Sequence, residues 1–485
     1  MSFFMATVPA GTQLYHGTWN LERVVGMEWL AFEPEHALIF ARPKRPSQGP
    51  PHFGNGHESP NYHNPPPILH NDQHPLHTTD DEEEKLGYLH TYIPHHPLHL
   101  LYIDGLSAGK TTNGTLDTQD ILLNLTSNST HSPIFGDLAR ATTLCNLTST
   151  LWESKIDGVL RMEGGFEIIL CDFEAQLEVK DIMPVEMPTS LNEGIMGGWE
   201  YYKAITGRYH GIGGGRVALD YEDFVTVYAY LGAELWDNDV QSDVPMPRLS
   251  NARRQDLVRI REEVTGMVLR SERSGKEGRE TVNWQEVADM LVTRYSSALH
   301  YLSTPISQVR KSKEEMALYL STLLRPFINH TARNTTRETA RCMAQVLPPT
   351  YAPQASSLAY DVISHISSMV CSTLLSALDV TSQSLSRSPT STPPAHALAL
   401  IDALVSYLQW TTWKECPTCA DEEICIIPIW PMGTLEDHAS PKCRSKDEVG
   451  WRGGYWGRGR PHHPPDKGKE AAKEVGCVDK GRGGL

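Results

Sequence analysis

The strongest constraint on what this chain can fold into is a change of hydrophobic rhythm just past Pro188. Before it, apolar residues come in strand-length runs: YLHTY after Gly87, His99 to Asp104, 157–161 (DGVLR), 166–172 (FEIILCD) and 176–183 (QLEVKDIM). Short apolar runs bounded by turn residues are buried strands. Only 135–153 in this half places its apolar residues at helical spacing. After Pro188 the spacing is helical over 194–208, 220–236, 249–273, 283–302, 312–329, 335–346, 353–380 and 395–412. Asn283, three residues before Glu286, has the signature of a helix cap, and Val287, Met290, Leu291, Tyr295, Leu299 and Leu302 form a core-facing stripe. The expected architecture is therefore an α+β N-terminal domain on a mixed sheet (12–185), an all-α domain (190–412) and a small Cys-rich segment (413–443).

Two stretches lack the means to fold. Residues 43–86 are rich in Pro, His and Asn and close on the acidic run 80–84, and residues 444–485 are rich in Gly, Arg and Pro. Neither buries enough apolar surface to offset chain entropy, so both are expected to be disordered. The formal net charge of −16 disfavours a nucleic-acid-binding surface, which needs clustered cations. No run of about 18 apolar residues is present, so no membrane span is expected. The start, MSFFMATVPAGTQ, lacks the basic and apolar regions of a signal peptide.

Sequons bear on the compartment. Asn113, Asn124, Asn128, Asn146, Asn329 and Asn334 each head an Asn-x-Ser/Thr triplet. Glycosylated asparagines lie on exposed segments of secreted chains, so the secretory pathway is favoured, with the signal peptide absent from this chain; a cytoplasmic chain with accidental sequons is the alternative. Of nine cysteines, Cys416, Cys419, Cys425 and Cys443 cluster, and two readings stay open. Those four thiols can hold zinc tetrahedrally, or form two disulfides in an oxidising compartment. The sequons favour disulfides; either role is structural.

Two nucleotide-loop lookalikes fail. In Asp104 to Thr111 (DGLSAGKT) the first position of a phosphate loop is Asp rather than Gly, and the residues after it do not read as a helix. Gly211, Gly213, Gly214 and Gly215 lack the strand–turn–helix frame of a dinucleotide loop and read as a flexible turn.

The remaining motif begins at Leu14-Tyr15-His16-Gly17-Thr18, which resembles the first motif of the ADP-ribosyltransferase superfamily. Trp29 to Ala41 (WLAFEPEHALIFA) resembles the second, a strand running into a helix, and Glu163 to Leu170 (EGGFEIIL) the third. The resemblance implies NAD as cofactor, bound through His16, Gly17, Thr18, Phe32 and Phe40. It makes Glu167 the catalytic carboxylate that opposes the positive charge developing as the glycosidic bond breaks. EWLAFEPEHALIFARP, YIDGLSAGKT, DGVLRMEGGFEIIL and WKECPTCADEEICIIPIWPMG together also resemble a group of uncharacterised secretory proteins of filamentous fungi. The leading expectation is a secreted glycoprotein with an ADP-ribosyltransferase-like first domain, able to cleave NAD if active. The rivals are a non-enzymatic structural or interaction protein with an unknown partner, and an intracellular zinc-stabilised protein.

Overall fold

The computed structural model describes residues 1–42, 86–109, 114–124, 136–186, 198–207, 211–236, 247–271, 282–354, 357–387, 392–416, 418–426, 437 and 440–449. Residues 43–85 of the expected disordered insertion, residues 450–485 of the expected disordered tail and the sequons at Asn113 and Asn128 lie outside them. The tail, expected to be disordered from 444, instead begins in a strand (Lys442–Ser445) and a short helix (Lys446–Val449).

The N-terminal part is a 10-stranded mixed sheet. Its strands are β1 (Ser2–Val8), β2 (Leu14–Thr18), β3 (Glu28–Ala31), β4 (Gly87–Pro94), β5 (Leu98–Ile103), β6 (Gly158–Met162), β7 (Phe166–Leu170), β8 (Leu177–Val185), β9 (Ala218–Leu219) and β10 (Val225–Thr226). They are ordered β10-β1-β5-β6-β7-β3-β2-β4-β8, with β9 also on β1. β5 and β6 run parallel, and α2 (Asp137–Thr150) lies in the chain between them. The other pairings are antiparallel.

Strand β1 corrects the expected start of the domain at residue 12. The MSFFMATV stretch suits an inner strand: Phe3 and Val8 are fully buried, and β1 pairs with β5 from Phe3 to Val8. The 220–236 stretch, expected to be helical, instead supplies β10, which pairs with Ser2 and Phe3, followed by two short 3-10 turns. The β-branched pair Val225-Thr226 and the helix breaker Gly232 favour that outcome.

One face of the sheet packs Phe3, Leu101, Ile103, Val159 and Ile169 against α2 and α5 (Arg254–Arg270), through Leu144, Leu257, Ile260, Val264 and Met267. Helix α5 thus joins the sheet's core, although its position in the sequence suggested the helical domain. The opposite face gathers Leu14, Leu30, Phe32, Tyr92, Leu100, Ile168, Leu170 and Phe173. Two short helices, α1 (Pro34–Leu38) and α3 (Phe173–Gln176), start after Glu33 and Asp172, and the Asp172 carboxylate accepts the Ala175 amide.

The second core is helical, formed by α6 (Trp284–Ser303), α7 (Lys313–Leu324), α8 (Thr335–Ala344), α9 (Leu358–Arg387) and α10 (Ala395–Leu408). Asn283 caps α6 by accepting the Glu286 amide, and Val287, Leu291, Tyr295, Leu299 and Leu302 are buried; Met290 is exposed. Against expectation, α9 is long and apolar enough to cross a bilayer by length and composition. Val370, Cys371, Leu374, Leu375, Ala377 and Leu378 on it are buried in the helical core.

A β-carbon on Gly17 would collide with the Ala37 carbonyl of α1. Gly17→Ala is expected to lower stability by about 1–3 kcal/mol, because packed backbone must move; a urea-unfolding midpoint equal to wild type would refute this contact.

Candidate functional site

Register decides which residues can meet. Ala31 of β3 pairs with both Tyr15 of β2 and Glu167 of β7, and Glu167 pairs with Arg161 of β6. Tyr15, Ala31, Glu167 and Arg161 therefore form one row on one face. His16, next to Tyr15 in β2, points to the other face, because successive strand residues alternate. Its ring packs edge-on against Phe173 and His90, and its Nδ1 bonds the Trp29 carbonyl at 2.7 Å. The expected joint site of His16 and Glu167 is thus not formed: they lie on opposite faces, with β3 between their strands.

The other residues of the expected NAD site have structural surroundings too. Phe32 is buried on the His16 face with the Arg216 guanidinium 5.7 Å from its ring centre. Thr18 accepts the Asn20 amide in a turn, and Gly17 underlies α1. Phe40 is exposed and sits edge-on to His36.

What the structure does assemble is a buried polar centre around Glu167. The Arg161 guanidinium donates to Glu167 Oε1 at 2.7 Å through Nε and to Gln119 Oε1 at 2.9 Å through a terminal nitrogen. Asp137 lies 3.9 Å from its other terminal nitrogen, and Arg140 of the same helix bridges Asp137 and Asp120. On the other side of Glu167, His36 Nε2 is 3.6 Å from Oε2. His36 Nδ1 meets the Tyr201 hydroxyl of α4 (Gly198–Thr206) at 3.2 Å, with the two rings stacked.

Burial is nearly complete: Arg161 and Tyr201 are 1% exposed, His36 2%, Glu163 4% and Glu167 5%. Burial alone would weaken protonation of Arg161, but Glu167, Asp137 and Glu163 outweigh it and hold its pKa above the usual value. Burial pushes the Tyr201 phenol well up, helped by the charges of Glu163 and Glu167, so it remains a proton donor. The Gly164-Gly165 turn of the β6–β7 hairpin makes room for this packing. A β-carbon on Gly164 would strike the Tyr201 hydroxyl, and one on Gly165 would come within 3.1 Å of the His36 ring.

Of these residues, only Glu167 was foreseen as functional. Arg161 reads as an anomaly in an apolar strand, which was the available signal. Gln119 comes from a single helical turn, Thr118–Leu123, although the residues after Thr111 do not read as a helix. His36 and Tyr201 carried no signal of their meeting.

The opposite face holds a pair of neutral histidines. His90 is fully buried, donates from Nε2 to the Asn20 carbonyl and meets the Tyr92 hydroxyl through Nδ1. Burial lowers both His16 and His90 from 6.5 to about 4, with their backbone bonds opposing the shift.

The four clustered cysteines pair as Cys416–Cys425 and Cys419–Cys443, on a small hairpin of β11 (Glu423–Ile426) and β12 (Lys442–Ser445). Two further disulfides join Cys145 to Cys171 and Cys342 to Cys371. The sulfurs of Cys416, Cys419 and Cys443 lie within 4.8 Å of one another, close enough to hold a metal ion.

The known proteins that resemble the chain include a family matched over its sheet domain. Residues 1–193 match the family model described as the YPL277C N-terminal domain, which covers β1 to β8. The chain is 30% identical over 200 residues to two uncharacterized proteins of Saccharomyces cerevisiae, YOR389W and YPL277C. Each likeness covers 39% of this chain, and the chain spans 30% of YOR389W and 39% of YPL277C. The sheet domain is thus similar to a family of uncharacterised proteins. No solved structure matches the chain.

The histidine pair sets a pH dependence. In the folded chain His16 and His90 stay neutral down to about 4, while the unfolded chain takes up protons below 6.5. Stability is therefore full above about 6.5 and falls as pH drops toward 4. The melting temperature is expected to fall by about 5 °C or more between pH 7.5 and 5, and less in a His16→Asn/His90→Gln variant. Equal melting of the wild type at the two pH values would contradict this.

Proposed function

We propose that this chain is a disulfide-stapled glycoprotein of the secretory pathway or cell exterior that acts by presenting a rigid surface to a partner. The observation that carries the reading is the pairing of all eight cysteines among the described residues into four disulfides. Such a set persists in oxidising compartments. The sequons agree with it. Asn146 and Asn329 are exposed, and so is Asn334 at the start of α8. Asn334 caps that helix through its amide oxygen, by accepting the Arg337 amide. A glycan is carried on the amide nitrogen, so cap and sugar are compatible.

The absence of turnover is part of the proposal. An ADP-ribosyltransferase-like domain cleaving NAD would need His16 and Glu167 to bracket one ligand. Their opposite faces, and the closed ion pair between Glu167 and Arg161, favour a structural role for both. The non-enzymatic interaction protein is accordingly the better supported of the two readings.

The test uses protein purified from a eukaryotic host that exports it. Endoglycosidase treatment is expected to increase mobility, with a smaller shift in Asn329→Gln/Asn334→Gln, and the unreduced protein should neither cleave NAD nor label at the eight cysteines. An unshifted band with thiols open to maleimide would overturn the compartment. NAD hydrolysis lost in Glu167→Gln would overturn the non-enzymatic reading.

A further inference from the structure

The two C-terminal disulfides differ from the others in being adjacent. Cys425 and Cys443 are register partners across the β11–β12 hairpin, and each is bridged to one cysteine of the Cys416-x-x-Cys419 motif. Four sulfurs thereby converge. Three already lie within 4.8 Å of one another, and the fourth is bonded to one of them. Cys145–Cys171 is a lone pair of sulfurs, and Cys342–Cys371 is sealed in the helical core at 0% and 1% exposure. The four C-terminal cysteines are partly exposed, so a reductant and a metal ion can reach them.

We propose that Cys416, Cys419, Cys425 and Cys443 form a redox-dependent zinc site: two disulfides when oxidised, a four-thiolate zinc centre when reduced. The switch needs a dithiol reductant. Two dithiol molecules each give two electrons and two protons to one bridge, leaving four cysteine thiols and two oxidised, cyclic disulfides of the reductant. Zn²⁺ then binds four thiolates as four protons leave.

Several features favour this. Four thiolates are the ordinary ligand set of structural zinc, and a two-residue spacing in the first pair is its usual turn. The Cys416 amide already donates to Cys425 Sγ at 3.2 Å, a bond that favours negative charge on sulfur. The hairpin has anchors independent of its bridges: Ile424 and Ile426 are buried, and β11 packs on α4. Reduction therefore leaves the ligands on a held scaffold, and the segment keeps one shape in an oxidising or a reducing compartment.

The full chain is tested oxidised and after treatment with a phosphine, which reduces disulfides without competing strongly for zinc. The oxidised chain is expected to bind no zinc and the reduced chain about one ion. Cobalt in place of zinc should give the charge-transfer absorption of a tetrahedral four-thiolate site, counting ligands in the wild type without any mutation. Cys419→Ser should cut that absorption by about a quarter, and a Cys145→Ser/Cys171→Ser variant should match wild type. Reduced wild type that takes up no zinc, or shows no thiolate–cobalt absorption, overturns the proposal. So does equal zinc binding by Cys419→Ser/Cys443→Ser.

Discussion

A single guanidinium organises the sheet domain. Arg161 sits at 1% exposure in β6, between the parallel pairing to β5 and the antiparallel pairing to β7. Burying an arginine is costly unless its charge and donors are met. Each of its partners comes from a different element: Glu167 from β7, Gln119 from the turn at Thr118–Leu123, and Asp137 from α2. Satisfying Arg161 therefore fixes the register of β6 and β7, the seat of α2 and the path of the connection between β5 and β6.

The same centre ties later parts of the chain to the sheet. Glu167 faces His36, His36 stacks on Tyr201, and α4, which carries Tyr201, supports the C-terminal hairpin. The disulfides add covalent ties where packing is local. Cys145–Cys171 fastens α2 to the end of β7, and Cys342–Cys371 fastens α8 to α9.

The sequence revealed much of this fold because periodicity reports burial. The strands at 98–103, 158–162 and 166–170 and the helices from 284 onward were legible in their apolar spacing. What was not legible depended on partners far away in the chain. β1 became a strand by pairing with β5, and Val225-Thr226 by pairing with β1. The candidate site shows the limit most clearly. His16, Phe32 and Glu167 were rightly placed on or beside strands, but motif order says nothing about which face a residue occupies. One residue of register separates Tyr15, in the row of Glu167, from His16, behind it. Arg161 was the missed clue, since a cation inside a buried strand demands a partner.

A double-mutant cycle on Arg161 and Glu167 tests the keystone role most directly. Arg161→Met and Glu167→Gln, measured singly by urea unfolding, should each cost about 3–5 kcal/mol, because each strands a buried partner. The double variant should lose less than the sum by about 2 kcal/mol or more. Strictly additive losses, or singles near wild-type stability, would contradict a fold organised around this ion pair.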